Sequence, residues 1–234
     1  MKDRLTTYKG KDIDVIFSVY RCIHVSACVD NLHSVFDTTR RPWIDANGAT
    51  ADQVAEVCLI CPTGALHFER HDGGFVEKIP SRNTIIVSKN GPLYFLGNIV
   101  LEDPHGNVIL KDTRISLCRC GKSKNPPICE DSHLKINFQD GAIHYHRPNQ
   151  EANDPSFDTP KDSPATELKV IIMPQGPYIL KGPFELLSAE GMTLFKGIRG
   201  SLCSCGYTKD QPWCDHSHLE HKEELLQIQQ SGAS

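Results

Sequence analysis

Residues 118–133 read Cys118-Arg119-Cys120-Gly121-Lys122-Ser123-Lys124-Asn125-Pro126-Pro127-Ile128-Cys129-Glu130-Asp131-Ser132-His133. The same spacing, C-x-C-x8-C-x3-H, returns at Cys203, Cys205, Cys214 and His218. The two stretches belong to a longer ungapped repeat. Gly91-Pro92 corresponds to Gly176-Pro177, Gly97 to Gly182, Lys111 to Lys196, Arg114 to Arg199 and Ser116-Leu117 to Ser201-Leu202. About 18 of the 44 positions from 91 to 134 are identical in the second copy, far above chance, so this part of the fold is one module used twice.

Working outward, the 234 residues divide into an N-terminal module at 8–70, repeat 1 at 84–146, a linker at 147–166 and repeat 2 at 167–230. Pro148, Pro155, Pro160 and Pro164 among Asn, Asp and Ser make the linker read as extended chain. The polar, glycine-containing stretch 71–83 reads as a connector. Alternation at Ile13, Val15, Phe17 and Val19 predicts a half-buried strand. Thr50 and Gln53 fit a capping box for a helix carrying Val54, Val57 and Cys58, which Pro62 ends. Each repeat opens with β-rich segments, Thr84–Val87 and Leu93–Leu101, then Leu168–Ile172 and Tyr178–Leu187. Short helices are expected after Cys129 and Cys214, with Asp131 or Ser132 and Asp215 or Ser217 as N-caps. Leu219–Gln230 reads as a terminal helix. The fold class expected is α+β.

Composition narrows the function. A net charge of −4 leaves no basic footprint for nucleic acid. No apolar run reaches the length of a membrane helix, and the polar start lacks a secretory h-region, so a cytoplasmic location is expected. There thiols stay reduced, so the ten cysteines read as metal or redox ligands rather than disulfides. No G-x-S-x-G, P-loop or H-E-x-x-H motif supports hydrolytic or nucleophilic catalysis, and no enzyme is expected.

Three thiolates and an imidazole suit either Zn²⁺ or the iron of an iron–sulfur cluster. Zinc sites usually pair their cysteines as C-x2–4-C, which makes C-x-C the less usual choice for zinc. The quoted stretch resembles the CDGSH-type iron–sulfur motif of mitoNEET-like proteins, C-x-C-x2-(S/T)-x3-P-x-C-D-G-(S/A/T)-H. That resemblance implies two [2Fe–2S] clusters, one on Cys118, Cys120, Cys129 and His133, the other on Cys203, Cys205, Cys214 and His218. It also implies that the repeats form a β-rich pseudo-dimer, the family's strand-exchanged homodimer fused into one monomeric chain with an internal pseudo-twofold axis. Glu130-Asp131 and His216 depart from the family's Asp-Gly, beside the ligands but not among them. A histidine ligand makes reduction easier than an all-cysteine set and is also the bond that acid breaks, so these clusters are expected to be acid-labile.

The N-terminal module resembles the divergent mono-cluster ferredoxin domain from about Tyr8 to Glu69, ending in Cys61-Pro62-Thr63-Gly64-Ala65-Leu66. The resemblance implies a small ferredoxin-like fold whose cluster sits on Cys22, Cys28 and Cys61, with Val25 where a middle cysteine would stand. Three thiolates suit a [3Fe–4S] cluster; a [4Fe–4S] cluster needs a fourth donor, for which Cys58 and His24 are the candidates. Cys58 also reads as core filler on the face of Val54 and Val57. Arg40-Arg41-Pro42-Trp43 reads as a loop anchor or a docking edge, and Arg114 and Arg199 as charges beside the clusters or on a retained surface.

The function expected is electron transfer through three clusters, with a reductase or acceptor protein as partner. The alternatives are a carrier or redox/pH sensor that passes clusters to apo-proteins, and a zinc-binding structural protein.

Overall fold

The protein was analysed as a computed structural model that describes residues 1–140 and 163–231. The proposed linker up to residue 162, and the end of repeat 1 from residue 141, lie outside the described residues. The chain is α+β and forms two compact units, Lys2–Lys78 and Ile79–Ser234. Among the described residues no helix is long and apolar enough to cross a membrane.

The first unit is an antiparallel sheet of β1 (Leu5–Tyr8), β2 (Ile13–Ser18) and β3 (Leu66–Arg70) in that order, with helices α1 (Ala27–Asn31) and α2 (Ala51–Leu59). β2 buries Ile13 and Val15 as its alternation predicts, but Phe17 is half-buried, the off-phase Ser18 is buried, and the strand ends before the exposed Val19. β1 is an exposed edge strand without alternation, so its pattern carried no signal. The capping box of α2 is formed: Gln53 N donates to Thr50 Oγ1 and Thr50 N to Gln53 Oε1. Val54, Ala55 and Cys58 then point into a core with Val15, Phe36, Ile44 and Leu66. The expected connector is more ordered than its composition suggests. Phe75 packs edge-on against Phe68, and Glu77 bonds His67 Nδ1 at 2.9 Å, so residues 71–78 fold back onto β3.

The second unit holds β4 (Thr84–Val87), β5 (Leu93–Glu102) and β6 (Val108–Leu117) from repeat 1, and β7 (Leu168–Ile172), β8 (Tyr178–Leu187) and β9 (Thr193–Leu202) from repeat 2. Within each repeat the strands pair antiparallel, β4–β5–β6 and β7–β8–β9. Across the repeats β4 pairs parallel with β8, and β7 with β5. The registers are equivalent: Thr84 lies opposite Glu185 and Leu96, while Lys169 lies opposite Val100 and Lys181. Besides its hairpin partner, β5 thus serves β4 and then β7, and β8 serves β7 and then β4; each bends between these two at a register shift, Leu96/Ile99 in β5 and Lys181/Phe184 in β8. Gly97 (φ 142) and Gly182 (φ 122) occupy those bends, and a Cβ on Gly97 would lie 2.2 Å from Asn83 Oδ1. The Asn83 amide in turn ties the repeats together, donating to Thr166 O and Pro183 O. One core runs through both repeats, including Phe95, Ile115, Leu117 and Leu180, Phe184, Trp213.

Helix α3 (Ser132–Lys135) follows Cys129 as expected, whereas the turn after Cys214 is a 3-10 turn, Ser217–Leu219. The expected N-cap bonds are not made at these turns. The cap positions are Asp131 (φ 73) and His216 (φ 72), both left-handed and without a side-chain cap bond. The terminal helix α4 spans Lys222–Ser231, starting three residues later than its sequence pattern suggests.

Candidate metal centres

The Cys–His stretches are loops in sequence but are closed by backbone pairing. Cys118 N donates to Pro127 O at 2.8 Å and Cys129 N to Ser116 O at 3.0 Å; Cys203 and Cys214 repeat this with Pro212 and Ser201. That short ladder folds the eight-residue spacer back, so the third cysteine stands beside the first. The Ser/Thr of the motif props the spacer from inside. Ser123 Oγ donates to Ile128 O and accepts from Asn125 N, as Thr208 does with Trp213 O and Asp210 N. The acid after the third cysteine closes the other side, Glu130 accepting from Lys124 N and Asp215 from Lys209 N.

The donors arrive as two pairs in each repeat. Cys118 Sγ and Cys120 Sγ are 3.6 Å apart, and Cys129 Sγ lies 3.4 Å from His133 Nδ1. In the second copy both distances, Cys203–Cys205 and Cys214–His218 Nδ1, are 3.5 Å. Two donors held about 2.3 Å from one tetrahedral ion lie about 3.7 Å apart, so each pair matches the edge of one metal's coordination shell. Among the described residues no three His, Cys, Asp or Glu side chains converge on one ion-sized point.

The surroundings shift the ionisation of the donors in different directions. The thiol hydrogen bond between Cys118 and Cys120 pushes Cys118 down, assisted by the backbone N–H groups of Ser123, Gly121 and Cys120; Cys203 is pushed down by Cys205, Gly206 and Thr208 in the same way. Burial pushes Cys129 up to about 12 and also raises Cys214, and it lowers both His133 and His218. Buried thiols that resist ionisation and histidines that resist protonation are a poor resting state. A cation supplies the charge that turns the thiols into thiolates and takes up neutral imidazole nitrogens, so the donor set fits a metal group.

The two sites meet back to back. Cys120 and Cys205 form an antiparallel bridge. Gly121 (φ 73) and Gly206 (φ 83) allow that approach: a Cβ on Gly121 would lie 2.1 Å from Cys205 O, and one on Gly206 2.6 Å from Cys120 O. Tyr178 of repeat 2 donates to Cys118 O at 2.7 Å, so the first site depends on repeat 2; the equivalent residue of repeat 1 is Leu93, which has no such donor. Sequence reasoning did not single out Tyr178, nor the buried Arg119 between the first two cysteines. Arg114 is buried and Arg199 exposed, so these two repeated charges do not share an environment.

In the first unit Cys22, Cys28 and Cys61 line one pocket with Phe17, Trp43 and Thr63. The loop from Cys22 to Cys28 wraps that pocket through two left-handed residues, His24 (φ 53) and Ser26 (φ 59). Burial, then the neighbouring Cys22 and Cys61, push Cys28 up to about 11. Cys58 is fully buried and packs in the apolar core, while His24 is exposed at the pocket's edge. Trp43 packs between Tyr8, Phe17 and Phe36, and Arg40 donates to Ser34 O and Val35 O, so this stretch anchors its loop.

Residues 8–71 match the family model described as a divergent 4Fe-4S mono-cluster. Residues 90–134 and 175–219 match the model described as an iron-binding zinc finger of CDGSH type. The chain is similar to the uncharacterized protein YjdI of Escherichia coli, both from strain K12 and from O157:H7. Each is 38% identical over 64 residues, which is 27% of this chain and 83% of YjdI. No solved structure matches the chain.

Proposed function

Because the chain belongs to the divergent 4Fe-4S mono-cluster family in its first unit and to the iron-binding CDGSH family in both repeats, we propose that it carries three iron–sulfur clusters and works in electron transfer. The observation that carries this reading is the arrangement of donors as two pairs in each repeat. A [2Fe–2S] cluster takes one pair per iron, whereas a zinc tetrahedron needs all four donors around one point. Cys118, Cys120, Cys129 and His133 would hold the first such cluster; Cys203, Cys205, Cys214 and His218 would hold the second. Cys22, Cys28 and Cys61 would hold a [3Fe–4S] or [4Fe–4S] cluster. When bound, these groups supply one-electron chemistry. The chain's own part is to exclude water, to fix the imidazoles by Nδ1 and to aim backbone N–H groups at Cys118 and Cys203.

The equivalent cross-repeat registers support a fused two-fold pair as the architecture of the second unit. The back-to-back bridge at Cys120 and Cys205 supports exchange of electrons between its two clusters. The test is anaerobic purification, counting of iron and sulfide, and electron spin resonance after reduction by a generic ferredoxin reductase. Reduction of both cluster types is expected. Clusters that stay oxidised at physiological potentials would overturn the electron-transfer reading, and a colourless, iron-free protein would favour structural zinc. A second reading, delivery of clusters to apo-proteins, is favoured by the half-buried His218 edge of the second site.

A further inference from the structure

The two Cys–His sites follow one pattern but are secured by different means. Between the first two cysteines, repeat 1 has Arg119 and repeat 2 has Ser204. Both reach the equivalent glycine carbonyl: Arg119 Nε donates to Gly91 O at 3.1 Å, and Ser204 Oγ to Gly176 O at 2.6 Å. The Arg119 fork then continues to Ser88 O at 2.6 Å, Asp140 Oδ2 at 2.8 Å and, across the repeats, Gln211 Oε1 at 3.1 Å. Its side chain is 0% exposed, and that of Asp140 is 6% exposed.

This network holds the cover of the first site. Phe138 packs on Cys118 and Cys120, and its ring lies 5.4 Å from the Arg119 guanidinium carbon. Asp140 fixes the end of the same segment, also accepting from Asn90 N at 3.0 Å. Gly91, held by Arg119, lies against His133, where a Cβ would be 3.6 Å from Nε2. His133 is buried.

The cover of the second site is of another kind. Leu225 of the terminal helix packs on Cys203 and Cys205 beside Tyr207. The neighbouring Glu224 holds the helix by an ion pair to Lys122 and by accepting from Tyr207 Oη at 2.5 Å. Glu224 is 48% exposed, and ion pairs at that exposure contribute little. Breaking a buried, hydrogen-bonded charge pair such as Arg119–Asp140 is costly. The pair of donors at the open edge differs in the same sense: Cys129 is 2% exposed against 9% for Cys214, and His218 is half-buried.

We propose that Arg119 locks the first site, making it the permanent redox centre, and leaves the second as the site from which a [2Fe–2S] cluster departs to an acceptor protein with four cysteine thiols. The inference rests on the two-cluster reading above. In the transfer, three iron–sulfur bonds and one iron–nitrogen bond to Cys203, Cys205, Cys214 and His218 break, and four iron–sulfur bonds to the acceptor form. No electron moves. Four acceptor thiols lose protons, the three released cysteines take up three, and one proton goes to solvent. Arg119 is a positioning residue: it acts through Phe138, Asp140 and the 88–91 loop.

The test uses the anaerobic holo-protein with the apo form of a plant-type [2Fe–2S] ferredoxin as acceptor, following cluster content by native mass spectrometry and acceptor absorbance. Cys129→Ser leaves only the second Cys–His site complete, and Cys214→Ser only the first. The form retaining the second site is expected to transfer roughly tenfold faster or more. Arg119→Ser, which gives repeat 1 the residue of repeat 2, should speed loss from the first site far more than from the second, to which Arg119 is hydrogen-bonded through Gln211 alone. Asp140→Asn, which keeps shape and removes the pair's negative partner, should act in the same direction and serves where Arg119→Ser does not fold. A merely structural role for Arg119 would instead move both rates together. Equal rates from the two sites, faster loss from the first, or no transfer from either while both hold clusters would overturn the proposal. Absence of two [2Fe–2S] clusters in the starting protein would instead overturn the reading on which it rests.

Discussion

His216 shows how the two repeats tolerate residues that the motif does not ask for. It sits at φ 72, as Asp131 does at φ 73, where the family pattern places glycine. A side chain in the left-handed region costs about 1–2 kcal/mol relative to ordinary backbone, part of which glycine's unfolded-state freedom offsets. His216→Gly should therefore stabilise the protein by about 1 kcal/mol, raising the thermal midpoint by about 2–4 °C. Thermal unfolding of the holo-protein checks this, and an unchanged or lower midpoint would show that the imidazole makes a compensating contact. Cys58 poses a sharper question. It is fully buried with Val54, Ala55 and Phe36, and it is not among the residues lining the pocket of Cys22, Cys28 and Cys61. Cys58→Ala should cost about 1–2 kcal/mol as a small cavity and leave the iron content unchanged. A loss of iron on that substitution would make it a ligand. The donor residues themselves were legible because cluster chemistry demands particular side chains at fixed spacings. Arg119 was not, since the position between two motif cysteines accepts many residues and its partners Ser88, Asp140 and Gln211 are distant in sequence.

At the scale of elements, strand positions followed from alternation, but their partners did not. Nothing in Thr84–Val87 announces that it pairs with both Leu93–Leu96 and Glu185–Leu187, because a strand's pattern records which face is buried and not which neighbour it bonds. Of the expected N-caps, Asp131 holds its position without a side-chain cap bond, whereas in repeat 2 the position falls to His216. Asp215 uses its carboxylate to hold Lys209 N and Ser217 N, closing the metal loop from one position before the cap. The glycines after each C-x-C carry the contact that joins the sites. At Gly121 an added Cβ would meet Cys205 O, a backbone atom with no room to retreat, and φ is positive there as well. Gly121→Ala should cost several kcal/mol, about 2–4, through the lost bridge and the left-handed strain together. Because the bridge is shared, iron should be lost from both repeats. Iron counts per chain and electron spin resonance of each cluster type check this. Loss confined to repeat 1, with repeat 2 intact, would show that the sites are independent.

For the whole molecule, the distribution of apolar burial sets what metal removal should do. The core of the second unit runs through both repeats on strand residues such as Phe95, Leu101, Leu180 and Phe184. The thiols lie outside it in two small clusters, with Phe138 over Cys118 and Cys120 and with Leu225 over Cys203 and Cys205. A sheet with its own core does not need a metal in order to fold, unlike a small zinc finger, whose metal binding is its folding energy. In the first unit Cys28 and Cys61 pack against the core of Ile13, Val15, Ile44 and Val54, and Leu66 belongs to both core and pocket, but the core's own buried residues do not include these two thiols. Anaerobic chelation should therefore release about seven irons per chain if the first cluster has three, and about eight if it has four. The far-ultraviolet circular dichroism of the sheets should persist. Hydrogen exchange should rise at residues 118–133 and 203–218 and around Cys22–Cys28, while β5 and β8 stay protected. Collapse of the whole β signal on chelation would contradict this ledger of cores and make the clusters the keystone of the fold. Retention of the sheets would separate the two roles of the repeat, a metal-independent scaffold and a loop that becomes ordered around its ligand.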